Sequence, residues 1–158
     1  QLYAAPDVPP ACLHLQQECE ADVPALLFAV WLGGRGHALT ASAFAAMVTP
    51  LADWRSEVIL PLRAVRQRMK TGPAPAPSDS TEALRDTVKL AELQAERIQM
   101  LALETSGLKA LVRSVPVPHH AAIADNLRLA LFHYHPVSLG LHEAQAMTLI
   151  ADTAVGLN

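Results

Sequence analysis

Residues 23–32 read Val-Pro-Ala-Leu-Leu-Phe-Ala-Val-Trp-Leu, an apolar run with no polar face anywhere around it. Asp22 supplies an N-cap and Pro24 falls in the first turn, where its missing N–H costs nothing. Gly33, Gly34 and Gly36 follow as positions able to adopt φ > 0 and end a helix. A helix that is apolar all round must be covered on every side. The pattern therefore predicts a central buried helix, Trp31 included, with the rest of the chain wrapped about it.

The other segments alternate in the manner of surface helices. Over residues 11–20, Cys12, Leu15 and Cys19 share one face, with Gln16, Gln17, Glu18 and Glu20 outside and Pro9 or Pro10 in the first turn. A short helix over 41–48 is capped by Thr40 or Ser42. Thr49 and Pro50 then open a helix whose stripe runs Leu51, Trp54, Val58, Leu62, Val65, Met69, with Pro61 kinking it. Residues 71–80 (TGPAPAPSDS) form a Pro/Ala-rich internal loop, read as an extended, stiff spacer.

The longest helix starts at Asp79 or Ser80 and runs to about Ser106, with Ser80 as N-cap and no capping box, since Ala83 occupies N3. Leu84, Val88, Ala91, Ala95, Ile98 and Ala102 form a heptad seam along it. A second stripe, Leu90, Leu93 and Leu101 with Met100 nearby, implies a second neighbour. Beyond Gly107 come residues 108–113, a breaker at 114–118, a helix over 119–134, a break at His135-Pro136 and a last helix over 141–155. Val115–Val117 is the only weak strand candidate. The fold class is all-α: a single-domain helical bundle of about six or seven helices spanning 1–158.

Composition narrows the function. Apolar residues make up 51% and charged ones 17%, so the chain has either a thick core or extra apolar surface for a partner. A net charge of −3 gives no field for nucleic acid or an anionic membrane, and an aromatic share of 4% is too small for base-stacking platforms. No run reaches the roughly 20 apolar residues of a membrane span. Cys12 and Cys19, about 10 Å apart on one helix, are too distant for a disulfide; two free thiols suit a reducing cytoplasm. The chain begins at Gln1 without Met, so the expectation is that residues upstream have been trimmed.

Three runs carry a resemblance. They are Leu2-Tyr3-x-x-Pro6-x-Val8 continuing through Ala11-Cys12-Leu13-x-Leu15-Gln16; Asp22-Val23 with Leu26-Leu27-Phe28, Trp31-Leu32 and Arg35-Gly36; and Trp54-Arg55-x-x-Val58-x-x-Pro61-Leu62-Arg63 with Arg66 following. Together they resemble a small family of proteobacterial conserved hypothetical proteins, a domain of unknown function. The likeness covers about the first seventy residues, more weakly the long helix. It implies a helical, bacterial protein and no particular chemistry. The family pattern has Gly before Ala-Asp-Val and Asn after it, where this chain has Glu20 and Pro24.

Candidate chemistry is sparse. His119, His120, His133, His135 and His142 crowd the last forty residues, but none of them pairs at the i, i+4 spacing of a zinc helix. Neither a metal site nor a cofactor is expected. The glycines of Gly33-Gly34-Arg35-Gly36 follow a helix rather than precede one, so Arg35 reads as a C-cap satisfying carbonyls and not as part of a phosphate cradle. Ser42, Ser56 and Ser106 lack an elbow context, and the cysteines lack an activating base. Arg63, Arg66, Arg68 and Lys70 crowd the end of the kinked helix as a solvated face or a docking patch for an acidic partner. Asp22, Trp31, Arg35, Trp54 and Arg55 read as a structural motif. The expectation is a cytoplasmic, non-enzymatic interaction or adaptor protein that forms a homodimer through the long helix, with Arg63, Arg66, Leu90, Leu93 and Arg97 at its binding surfaces. The rival is a small-ligand binder or metal-dependent enzyme whose pocket is lined by Trp31, Trp54 and the late histidines.

Overall fold

The computed structural model describes residues 1–111 and 117–157. The fold is all-α, with no strand among the described residues. Among the described residues eight α-helices follow in order: α1 (Val8–Glu18), α2 (Val23–Gly34), α3 (Ala41–Val48), α4 (Ala52–Trp54), α5 (Leu60–Arg68), α6 (Asp79–Leu111), α7 (His119–Tyr134) and α8 (Leu141–Gly156). Two compact units are distinguishable: Gln1–Val48 with Leu103–Asn158, and Thr49–Ala102. No described helix is long and apolar enough to cross a membrane.

In the first unit α2 is buried on nearly every side, as an all-apolar helix must be. Asp22 caps it, its Oδ1 accepting from the Ala25 N–H at 3.4 Å. Pro24 has removed the preceding donor, which leaves Ala25 as the side chain's partner. α7 is its principal neighbour, and the two helices meet at Gly33. A Cβ there would lie 2.6 Å from the Ile123 Cα and backbone N, so the approach of the two backbones requires glycine. Gly33 and Gly34 thus lie inside α2 rather than ending it; the left-handed position is Gly36, at φ 76°.

Two expectations about α2 change. Trp31 is half-buried, not enclosed. The Arg35 side chain does not satisfy the terminal carbonyls, because backbone donors do: Arg35 N–H reaches Trp31 and Leu32, Gly36 N–H reaches Gly33, and His37 N–H reaches Leu32.

α1 packs against α8, with Val8, Cys12 and Leu15 turned into the core. It starts at Val8, earlier than the sequence pattern indicated, because Pro9 and Pro10 fit its first turn. It ends at Glu18 with Cys19 as C-cap, and Glu20 just beyond adopts φ 51°. α3 runs over the expected residues, and the Thr40 hydroxyl caps it by accepting from Ala43 N–H at 3.1 Å. Gly107 does not stop α6, which continues to Leu111; a Cβ at Gly107 would collide with the Phe28 ring. Of the strand candidate, Val115 and Pro116 lie outside the described residues, as does most of the breaker at 114–118, while the Val117 N–H donates to Gly36 O at 2.8 Å.

In the second unit the chain from Thr49 to Arg68 stays helical but changes pitch: a 3-10 turn Thr49–Leu51, α4, a π turn Arg55–Ile59, then α5. Pro61 offers no N–H and its ring crowds the carbonyl one turn back, so the expected disturbance takes the form of a widened turn just before it. Of the predicted stripe, Leu51, Trp54, Val58, Leu62 and Met69 are half-buried and Val65 is exposed; the buried residue is Ile59. Residues 71–80 contain a turn, closed by Ala76 N–H on Pro73 O at 2.9 Å, in place of an extended spacer.

Candidate functional site

The second unit carries the predicted binding residues, and α6 organises them. Its N-cap is Ser78, two residues before the expected Ser80. Ser78 Oγ accepts from Thr81 N–H at 3.4 Å, and Thr81 Oγ1 accepts from Ser78 N–H at 2.8 Å. This is a reciprocal capping box with Thr in place of Glu.

From there α6 buries an unexpected face. Glu92, Ala95 and Gln99 are buried, while Leu84 and Ile98 of the predicted seam are exposed at 56% and 52%. Ala91 of the seam is exposed as well. The seam is therefore not the packed face. The buried face is polar, and α4 and α5 supply partners for Glu92, Glu96 and the Ala95 carbonyl. Arg63 donates through Nε to Glu92 at 2.8 Å and through Nη2 to Glu96 at 2.6 Å. Arg66 donates through Nε to the second Glu92 oxygen and through Nη2 to the first at 3.2 Å. Trp54 Nε1–H donates to Ala95 O at 3.1 Å.

Burial alone would push the Glu92 carboxyl up, but hydrogen bonds and charge from Arg66 and Arg63 outweigh it and hold it below the usual range. The same pairing raises Arg66. Arg63 and Arg66 are thus engaged inside the chain instead of forming a solvated face; Arg68 and Lys70 remain exposed. Arg55 is half-buried in the π turn.

Opposite the buried face, Leu90, Leu93 and Leu101 are exposed at 64%, 51% and 56%, beside Ile98. Gln94 and Arg97 are exposed among them. At about 100° per residue, all six fall on one face of α6. Leu90, Leu93 and Arg97, named from the sequence as binding residues, share this exposed face, and Ile98, which spacing assigned to the seam, lies with them.

The family model for a protein of unknown function, DUF2390, covers residues 1–103. The chain belongs to that family. No curated protein and no solved structure matches it. The DUF2390 match takes in α1 to α5 and α6 as far as Leu103, so it contains the whole exposed row of α6, together with Arg63, Arg66 and the capped α2.

Of the residues named for a pocket, the late histidines and Trp31 belong to the first unit and Trp54 to the second. Each tryptophan is engaged within its own unit. His133 packs edge-on against Phe44, and His119 against His120. His14 donates to Glu143 at 3.1 Å, tying α1 to the start of α8. Glu143 is held low first by its own backbone N–H, with burial opposing, and then by His14. Among the described residues no group of three His, Cys, Asp or Glu side chains could hold a metal ion.

Both cysteines are buried and free. Burial pushes the Cys12 thiol up to about 12, and raises Cys19 with help from Glu143 and Glu18. Neither is poised as a thiolate nucleophile. Between α7 and α8 lies a groove of about 470 Å³, mostly apolar, with His135 and Arg128 among its lining residues.

One side chain that sequence reasoning missed is Asn126. It is 1% exposed. Its Nδ2 donates to Ala29 O at 3.0 Å and His37 O at 2.8 Å, and its Oδ1 accepts from Leu39 N–H at 2.8 Å. Asn126 stands between Asp125 and Leu127, with Arg128 close by, so no local pattern in α7 marked it.

Proposed function

We propose that this DUF2390 protein is a non-enzymatic interaction module of the bacterial cytoplasm that self-associates through the outer face of α6. The observation that carries the reading is the inverted burial of that helix: Glu92 and Gln99 are inside and Leu90, Leu93, Ile98 and Leu101 outside. Leaving four large aliphatic side chains in water on one helical face forgoes about 1 kcal/mol or more for each one that a partner would cover.

The order of the exposed residues favours a second copy as that partner. Leu90, Leu93, Gln94, Arg97, Ile98 and Leu101 follow at steps of three, one, three, one and three, the same read in either direction. An antiparallel two-fold contact centred between residues 95 and 96 sets Leu90 against the second copy's equivalent of Leu101, Leu93 against Ile98, and Gln94 against Arg97. Such self-complementarity is what an isologous dimer requires. The cytoplasmic placement is supported by the two unpaired thiols and the bacterial one by the resemblance of the first seventy residues.

The test is molar mass by light scattering. The chain is expected to run at twice its monomer mass at tens of micromolar, and Leu90→Glu with Leu101→Glu to run as a monomer of unchanged helicity. A wild-type monomer at that concentration, or a double variant that stays dimeric, refutes the reading.

A further inference from the structure

At the end of α2, three side chains one turn apart form a stack. The Phe28 and Trp31 rings lie 5.5 Å apart and nearly parallel, and the Arg35 guanidinium carbon sits 4.4 Å above the Trp31 ring. The guanidinium has no hydrogen-bond or ion-pair partner among the described residues. Its usual task at a helix C-terminus is already done by backbone N–H groups, as described above. The stack thus holds a planar fork of donors in a fixed orientation and leaves the fork unused.

The fork opens on a cavity of about 450 Å³, within the roughly 300–1,000 Å³ range of small-molecule sites. Leu2, Val30, Ala154 and Leu157 supply its apolar wall and Trp31 one side. Arg35 is the only charged side chain among the described residues that line it. An aromatic floor, an aliphatic wall and one fixed guanidinium are the complement of an apolar molecule ending in a single carboxylate.

We infer that this cavity is a binding site for a small carboxylic acid with an apolar body, its carboxylate held in the plane of the Arg35 guanidinium and its body against Trp31, Val30 and Ala154. A bidentate guanidinium–carboxylate pair is strong because both partners are charged and both geometries are planar. The pair is stronger still here because stacking on Trp31 has already restricted the arginine. The carbonyl end of α2 carries partial negative charge at the same place. That field opposes a phosphate dianion more than a carboxylate monoanion, so it selects between the two anions. The site is independent of the α6 surface: it lies in the first unit and needs no second copy.

Trp31 reports on the site directly. In a Trp54→Phe background, octanoate is titrated against Trp31 emission, with octanamide and inorganic phosphate as controls and circular dichroism to verify folding. Octanoate is expected to change the emission saturably, and the amide and phosphate to require at least about tenfold higher concentration, the loss of one charge-assisted contact. Arg35→Ala is expected to weaken octanoate by about tenfold or more, and Arg35→Lys by less, because an ammonium keeps the charge but not the fork. No saturable change with octanoate overturns the inference. So do equal affinities for octanoate and octanamide, an undiminished affinity in folded Arg35→Ala, and phosphate binding as tightly as octanoate.

Discussion

Gly33 is the residue whose replacement has the least ordinary consequence. Glycine to alanine inside a helix normally stabilises by about 1 kcal/mol. Here the added methyl would lie 2.6 Å from the backbone of Ile123, and pushing α2 from α7 should cost about 1–3 kcal/mol. Gly33→Ala is therefore expected to lower the denaturant midpoint, and a rise would mean the helices do not meet at that point. Glu20 presents the opposite case. It occupies φ 51°, where a Cβ is strained. Glu20→Gly should raise stability by about 1 kcal/mol in a chemical unfolding experiment; no gain would mean that contacts of the Glu20 side chain offset the strain. Asp22 was legible as a cap from residue type and position. Trp31 was not legible as half-buried, because a helix without a polar residue has no periodicity from which to orient it. Asn126 was equally hidden: its three partners come from α2 and the following loop, and no local pattern in α7 announces them.

Among the elements, α6 departs most from its sequence pattern. Apolar spacing selected a seam of Leu84, Val88, Ala91, Ala95, Ile98 and Ala102, whereas the buried face turns on Glu92, Ala95 and Gln99. The reason is the ion-pair network: Arg63 and Arg66 from α5 satisfy Glu92 and Glu96, which makes it possible to bury charge that a hydrophobicity count assigns to water. This network has a pH signature. The folded Glu92 carboxyl is held below its ordinary value. Its contribution to stability is therefore complete above the unfolded carboxyl's range and is lost as pH falls through the lowered folded value. The indole N–H signal of Trp54, bonded to Ala95 O in the same unit, is expected to hold its native position at neutral pH and collapse on acidification. Glu92→Gln should weaken the unit at neutral pH and flatten that acid dependence. An acid profile identical in wild type and Glu92→Gln would show that the network does not govern the unit's stability.

For the whole molecule, the sequence by itself determined the all-α class, the family, and the existence of nearly every helix, α3 and α7 to the residue, because caps, prolines and apolar spacing are local signals acting within one or two turns. It also put Leu90, Leu93 and Leu101 in one stripe of α6, since such spacings share a helical face whatever surrounds them. Tertiary structure alone decided the remaining questions, which concern what lies across from a face. Gly33 serves a helix contact and not a helix end; Gly107 lies inside α6 because Phe28 needs the space; Arg63 and Arg66 face Glu92 and Glu96; and Arg35 rests on Trp31 because backbone donors already close α2. Each of these depends on partners distant along the chain or on a competition for one donor or one volume, and periodicity along a single helix carries no information about either.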